Sequence, residues 1–265
     1  MLMVGLSSEV SAACVSGYVV DFNGNPVNNV DLDLFDAVTG VKLVFPTGFN
    51  DNTDPLGAYQ ICVLRPGFYH IAFDPPDSTH FLGTRIFNVD MRTDIVLSDV
   101  VFNFGAAISG VVTDLAGGPV FDADVDVDSL HGGRVYTPND KTKLTTGAYW
   151  IVVPPGNFRI RFDPPATGGR LRGVQIDSAN IVRDTVINVS FMNGLLFNGR
   201  VTNSIGSGIR DVNVDLRVDS TGQKVFISNN NTDSTGFYNV AVPAGIFEIR
   251  YTPPVGTRFV AELKD

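Results

Sequence analysis

The feature that most constrains this chain is an internal repeat. Val15-Ser16-Gly17-Tyr18-Val19-Val20-Asp21 recurs as Ile108-Ser109-Gly110-Val111-Val112-Thr113-Asp114, and again as Phe197-Asn198-Gly199-Arg200-Val201-Thr202-Asn203. The offsets are 93 and then 89 residues. A second block follows in the same order: Gly57-Ala58-Tyr59-Gln60-Ile61, Gly147-Ala148-Tyr149-Trp150-Ile151 and Gly236-Phe237-Tyr238-Asn239-Val240. A third begins at Pro66-Gly67, Pro155-Gly156 and Ala244-Gly245, and closes on Pro75-Pro76, Pro164-Pro165 and Pro253-Pro254. Three ordered blocks in three copies define a small module used in tandem.

Hydrophobic periodicity gives the module its class. Val30, Leu32 and Leu34 alternate with Asp31 and Asp33. Ala123, Val125 and Val127 alternate with Asp124, Asp126 and Asp128, and Val212, Val214 and Leu216 with Asn213, Asp215 and Arg217. A period of two is the mark of a half-buried strand. Copy comparison decides the inward face of the leading strand: Val19, Val112 and Val201 stay apolar, while Tyr18, Val111 and Arg200 do not. Gly and Pro punctuate the runs. Asn23-Gly24-Asn25-Pro26 reads as a turn, and Pro75-Pro76 ends a strand because neither residue donates to a ladder. The expected fold is all-β, three tandem seven-stranded Greek-key sandwiches over residues 14–104, 105–194 and 195–265. The third is shorter and stops soon after Phe259, the counterpart of Phe81, so its last one or two strands are expected to be missing: either the chain is a fragment of a longer array, or a partner must cover the open edge.

Charge narrows the partners. The formal net charge is -9, which disfavours phosphate backbones, so nucleic acid is not an expected partner. No apolar run is long enough to span a membrane. Residues 1–13 read as the remnant of a secretory signal or as a disordered leader, with small residues at Ser11-Ala12-Ala13. Ala13-Cys14 is a poor lipid-attachment site because Ser11 stands where Leu is usual.

The order S-G-x-V-x-D-x-x-G-x-P, then V-x-V, G-x-Y and P-P-G-x-F/Y, resembles the carboxypeptidase regulatory-like domain. This prealbumin-like (transthyretin-like) sandwich accompanies bacterial secreted and surface proteins and metallocarboxypeptidases. The likeness runs over residues 14–265 and implies a non-catalytic accessory module, secreted or on the cell surface. The same fold grouping holds starch-binding domains, and fold likeness alone does not fix function. Collagen-adhesin B-type repeats, a related group, carry a Lys–Asn crosslink. Here Lys42, Lys141, Lys143, Lys224 and Lys264 all lie outside the first strand of a copy, which speaks against it. The histidines, His70, His80 and His131, match neither the transthyretin-like hydrolase set nor a zinc-peptidase spacing.

Few residues carry candidate chemistry. No nucleophile elbow or phosphate loop is present, so an enzyme is not expected. His70 varies between copies and reads as a surface residue. Cys14 and Cys62 occur only in the first copy, both on the outward parity of their strands. They are expected to pair if those strands are neighbours; the bland reading is two separate thiols. Asp31, Asp33, Asp51, Asp124, Asp126, Asp140 and Asp215 recur on outward strand positions and in a polar loop. Structural calcium is the functional reading, with no other cofactor. A solvated face with Asp opposite Arg159, Arg161 and Arg250 is the bland one. Asp21-x-Asn23-x-Asn25 mimics a calcium loop, but the second copy keeps only Asp114. Trp150 and Phe35 are aromatics on outward positions that a carbohydrate or protein partner would use; the bland reading is local packing or contact between modules. The expected function is a structural spacer or adhesive stalk whose partners are other modules of the same or a neighbouring chain. The alternative is a carbohydrate-binding or protein-binding accessory module, with polysaccharide as partner.

Overall fold

A computed structural model describes residues 12–46 and 50–264. The expected leader lies outside the described residues except for Ala12 and Ala13, and Ala13 already belongs to the first strand, where it is buried. The fold is all-β, with twenty strands and no helix among the described residues. No helix is long and apolar enough to cross a membrane.

The strands repeat with the sequence. The first copy has β1 (Ala13–Asp21), β2 (Asp31–Asp36), β3 (Ala58–Val63), β4 (Gly67–Asp74), β5 (Thr84–Met91), β6 (Ile95–Val96) and β7 (Val100–Phe102). They form one sheet in the order β3-β1-β6, with β7 also on β1, and a second in the order β2-β4-β5. The second copy has β8 (Ala106–Asp114), β9 (Asp124–Ser129), β10 (Ala148–Val153), β11 (Gly156–Asp163), β12 (Val174–Ile181), β13 (Thr185–Val186) and β14 (Val189–Phe191). Its orders are β10-β8-β13, with β14 on β8, and β12-β11-β9. The third has β15 (Leu195–Arg200), β16 (Asn213–Val218), β17 (Lys224–Val225), β18 (Phe237–Val242), β19 (Phe247–Thr252) and β20 (Glu262–Lys264), paired as β15-β18 and β17-β16-β19-β20.

Two compact units organise these strands. The first is Met1–Ala107 with Tyr136–Asn139 and Ile151–Pro155; the second is Ile108–Val135, Asp140–Trp150 and Gly156–Asp265. The first copy is thus compact together with two short pieces of the second.

The alternation sets the cores. In the first unit Val15, Val19, Leu32, Leu34, Ile61, Ile71 and Phe73 face inward from both sheets and are fully buried. Each such side chain contributes about 1.5–3 kcal/mol relative to exposure. The Tyr59 ring meets Phe73 edge-on at 5.4 Å, and in the second unit Tyr149 meets Phe162 at 5.5 Å. His70 departs from expectation. It is half-buried rather than on the surface: its Nδ1 accepts the Asn88 N–H at 3.1 Å and its ring packs on Phe87.

Two recurrent polar devices tie the strands together. Asp21 Oδ1 accepts the N–H groups of Asn23 and Asn25, Asp114 Oδ1 those of Ala116 and Gly118, and Asn203 Oδ1 those of Ile205 and Ser207. The calcium-like spacing at Asp21 is therefore an Asx turn. Its tightness uses Gly24, Gly117 and Gly206 at φ of 82°, 84° and 82°. The second device is a buried threonine in the polar loop. Thr53 Oγ1 donates to Val27 O at 2.7 Å and accepts from Val30 N–H at 2.9 Å. Thr142 does the same between Val120 and Ala123, and Thr232 between Ile209 and Val212.

Candidate functional site: the repeated junctions

Cys14 and Cys62 stand directly opposite on β1 and β3, with Cα atoms 4.0 Å apart, and form a disulfide. The antiparallel neighbourhood of these two strands brings the two outward positions together. Trp150 and Phe35 do not form exposed platforms. Both are half-buried, and the Arg85 guanidinium lies 5.6 Å from the Phe35 ring centroid.

The aspartates gather by copy. Asp31 and Asp33 of β2 meet Asp74 at the end of β4, and Asp124 and Asp126 of β9 meet Asp140 of the polar loop. These six offer the carboxylate oxygens a hard cation would need. Each group also has its own cation. Lys42 pairs with Asp33, Arg134 with Asp126 and, at 3.6 Å, with Asp140, and Lys224 with Asp215 at 2.8 Å. Lys42, Arg134 and Lys224 all sit on the hairpin arm that follows the second strand of a copy, at bridges to Phe35, Asp128 and Arg217. Arg161 spans Asp126 and Asp128 at 3.2 and 3.1 Å, the strand-opposite pairing expected for it. Burial raises the pKa of Asp31, with help from Asp33 and Asp51. Burial also raises Asp126 and Asp140, the latter against Asp124, with Arg134 opposing in both.

Asp74 belongs equally to a junction with the second copy. Its carboxylate accepts the hydroxyl of Tyr136, whose ring lies under the Arg85 guanidinium at 3.8 Å. Asp74 is 8% exposed, and burial pushes its pKa up to about 6 despite the hydroxyl. Close packing completes the contact. A Cβ on Gly83 would stand 2.7 Å from Pro138 Cδ and 3.1 Å from the Tyr136 ring. The connecting segment is pinned as well: Leu82 N–H donates to Asn103 O, and Gly105 N–H to His80 O, both at 2.9 Å. Phe104 stacks on Phe81 at 4.9 Å. A Cβ on Gly105 would stand 2.7 Å from Val152.

The second unit repeats this arrangement between the second and third copies. Arg172 N–H donates to Met192 O at 2.9 Å, and Gly194 N–H to Arg170 O at 2.8 Å. A Cβ on Gly194 would stand 2.6 Å from Val242 O, and one on Gly173 would stand 2.8 Å from the Phe226 ring. Asp163, the counterpart of Asp74, faces Ser228 and has a raised pKa, chiefly from burial. Asn229 Nδ2 donates to Pro164 O at 3.3 Å. In both junctions the Asp-Pro-Pro end and the following glycine of one copy hold the hairpin arm of the next.

The short links around Asn103-Phe104-Gly105 and Met192-Asn193-Gly194 are legible in the sequence as the joins between copies, whereas the roles of Asp74, Gly83 and Tyr136 were not singled out, although a signal was present. Asp-Pro-Pro and the later glycine occur in the first two copies, whereas Thr252 and Ala261 occupy those places in the third.

No family model matches the chain, and no curated protein matches it. Among solved structures, the chain is similar to the TIE protein of Bacillus anthracis, at 13% identity over 96% of this chain and 48% of that one, with a TM-score of 0.28. It thus spans about half the length of that protein. It is also similar to BcpA, the major pilin subunit of Bacillus cereus, at 12% identity over 91% of this chain and 88% of that one, TM-score 0.26. The shaft pilin SpaA of Lactobacillus rhamnosus GG is 8% identical over 69% of this chain and 97% of that one, TM-score 0.26. At these values the functional reading rests on the geometry of the chain itself.

Proposed function

We propose that this chain is a non-catalytic, extracellular or cell-surface β-sandwich array that serves as a structural spacer or adhesive stalk. Its modules are residues 14–104, 105–194 and 195–265, and its partners are other such modules of the same or a neighbouring chain. The observation that carries this reading is the repeated junction. A linker pinned by two backbone hydrogen bonds, and glycines packed too tightly for a side chain, recur at both joins. A flexible string of independent binding domains has no use for such contacts. The cross-strand disulfide suits an oxidising compartment. Countercharge for the aspartates comes from Lys42, Arg134 and Lys224, so a metal is not part of this reading.

Calorimetry tests it. The first copy of the native chain melts together with the second, and Gly83→Val, which forces Pro138 and Tyr136 away, splits the transition. If Gly83→Val and wild type melt with the same profile, the joins do not couple the modules and the spacer reading fails. A glycan array supplies the opposing arm: binding that is lost in Trp150→Ala would favour the accessory-module alternative.

A further inference from the structure

The two joins are built alike but filled differently. In the first, the outer face of β4 and β5 carries His70, Ala72, Arg85 and Phe87. The Arg85 guanidinium lies 3.8 Å from the centre of the Tyr136 ring, and the His70 ring meets Phe87 at 5.0 Å. In the second unit the same positions hold Arg159, Arg161, Gln175 and Asp177, and Phe226 stands where Tyr136 does. The planar cation that stacks on Tyr136 is thus replaced by an amide, and the aromatic pair by an arginine and an acid.

A cavity of about 530 Å³ stands in that place. Arg159, Arg161, Gln175 and Asp177 line one wall, and Lys224 and Phe226 of the third copy's hairpin arm line the other. Arg159 and Arg161 are two residues apart on β11 and share a face, with Gln175 of β12 directly opposite Arg161. Gln175 Nε2 donates to Asp177 Oδ1 at 2.6 Å, and Arg159 Nε stands 3.6 Å from the same oxygen. Arg161 is held by Asp126 and Asp128 at 3.2 and 3.1 Å, and Lys224 by Asp215 at 2.8 Å. The whole wall belongs to the second compact unit.

These groups set the ligand class. The volume is that of an ordinary small-molecule site. Aspartates already neutralise Arg161 and Lys224, so Arg159, whose acid is shared with Gln175, is the cation that faces a ligand with charge to spare. One carboxylate matches its planar fork, whereas a doubly charged phosphate would also meet the aspartates behind the wall. Amide, ammonium and carboxylate groups around it suit hydroxyls, and the Phe226 ring offers a face to a sugar ring. We propose that the cavity binds a carboxylated sugar, the uronic acid unit of an acidic polysaccharide. Its carboxylate pairs with Arg159, and its hydroxyls meet Gln175, Asp177 and Lys224. The site uses the join between the second and third copies but not the spacer role, so the two can fail separately.

The test is calorimetric titration of the full chain with a trimer of α-1,4-linked galacturonic acid. One saturable site should fill at roughly millimolar trimer and weaken as salt is added. Arg159→Ala should weaken binding at least about tenfold. Its position holds His70 and Glu248 in the other copies, so the fold tolerates the change, which an unaltered melting profile verifies. Gln175→Ala should weaken binding too, and Trp150→Ala should leave it as it is. No binding at roughly ten millimolar trimer would overturn the proposal. So would equal binding of the neutral glucose trimer, tighter binding of triglutamate, which has carboxylates without hydroxyls, or binding indifferent to Arg159→Ala. Trimer binding that persists while the first join proves loose would support the site and count against the spacer reading alone.

Discussion

The hydroxyl of Tyr136 donates to the carboxylate of Asp74, 62 residues earlier in the chain, and the two belong to different copies of the repeat. Both residues lie in the first compact unit. Tyr136→Phe keeps the ring under Arg85 but leaves a buried carboxylate without its donor. A hydrogen bond to a charged group is worth about 1.5–3 kcal/mol, so the first unit should lose that much in urea denaturation. Asp74→Asn in the same background should recover part of it, because the uncharged amide costs less to leave buried.

The pH dependence follows from the raised carboxyls. A carboxyl whose folded pKa lies above its unfolded value binds its proton more tightly when folded. For Asp74 the resulting stability is full below the ordinary value of 3.8 and is lost as pH rises through about 6. Asp31, Asp126, Asp140 and Asp163 are shifted in the same direction. Asp21, Asp36, Asp90 and Asp233 are lowered by their hydrogen bonds, and their opposite effect sets in only at lower pH, below the ordinary carboxyl range. The melting temperature should therefore rise as pH falls from about 7.5 to about 5. Asp74→Asn should flatten part of that rise.

The disulfide acts on one copy only. Cys14 and Cys62 close a span of 48 residues, and opening it should destabilise the first unit by about 2–4 kcal/mol. Denaturation with and without reductant measures this. The transition that reports the third copy should not move.

The buried threonines should behave alike in all three copies. Thr53→Val removes both the donor to Val27 O and the acceptor for Val30 N–H. Leaving these two main-chain groups buried and unpaired costs on the order of 1–3 kcal/mol. Thr142→Val and Thr232→Val should lose comparable amounts, each read as a shift of its own denaturation midpoint.

Much of the fold was legible because alternation is a local signal. Leu32 and Leu34 against Asp31 and Asp33 fixes a strand and its inward face without any tertiary information. The Cys14–Cys62 pairing was legible from parity together with the absence of both thiols from the other copies. The short links at Asn103-Phe104-Gly105 and Met192-Asn193-Gly194 were legible too, but the contacts that flank them were not, because these join residues far apart in the chain. Pro138 meeting Gly83 has no signature within either local segment; only copy comparison, with a glycine at 83 and 173 and Ala261 in the third copy, carries a trace of it. The role of Thr53 went unseen for a related reason. Asn50-Asp51-Asn52-Thr53 looks like a set of oxygen ligands, but its last residue is turned inward to hold two main-chain groups. Trp150 and Phe35 were placed on the correct parity, yet outward on a strand did not mean exposed, since Arg85 covers the Phe35 ring.

The central claim is that adjacent copies are held by their junction rather than strung on a free linker. Spin labels carried by an unnatural amino acid at Val38 and Pro154, both in the first compact unit and one in each of the first two copies, measure this directly. The native chain should give a single narrow distance distribution that broadens in Gly83→Val. A broad distribution in the native chain, or one that Gly83→Val leaves unchanged, would contradict the account.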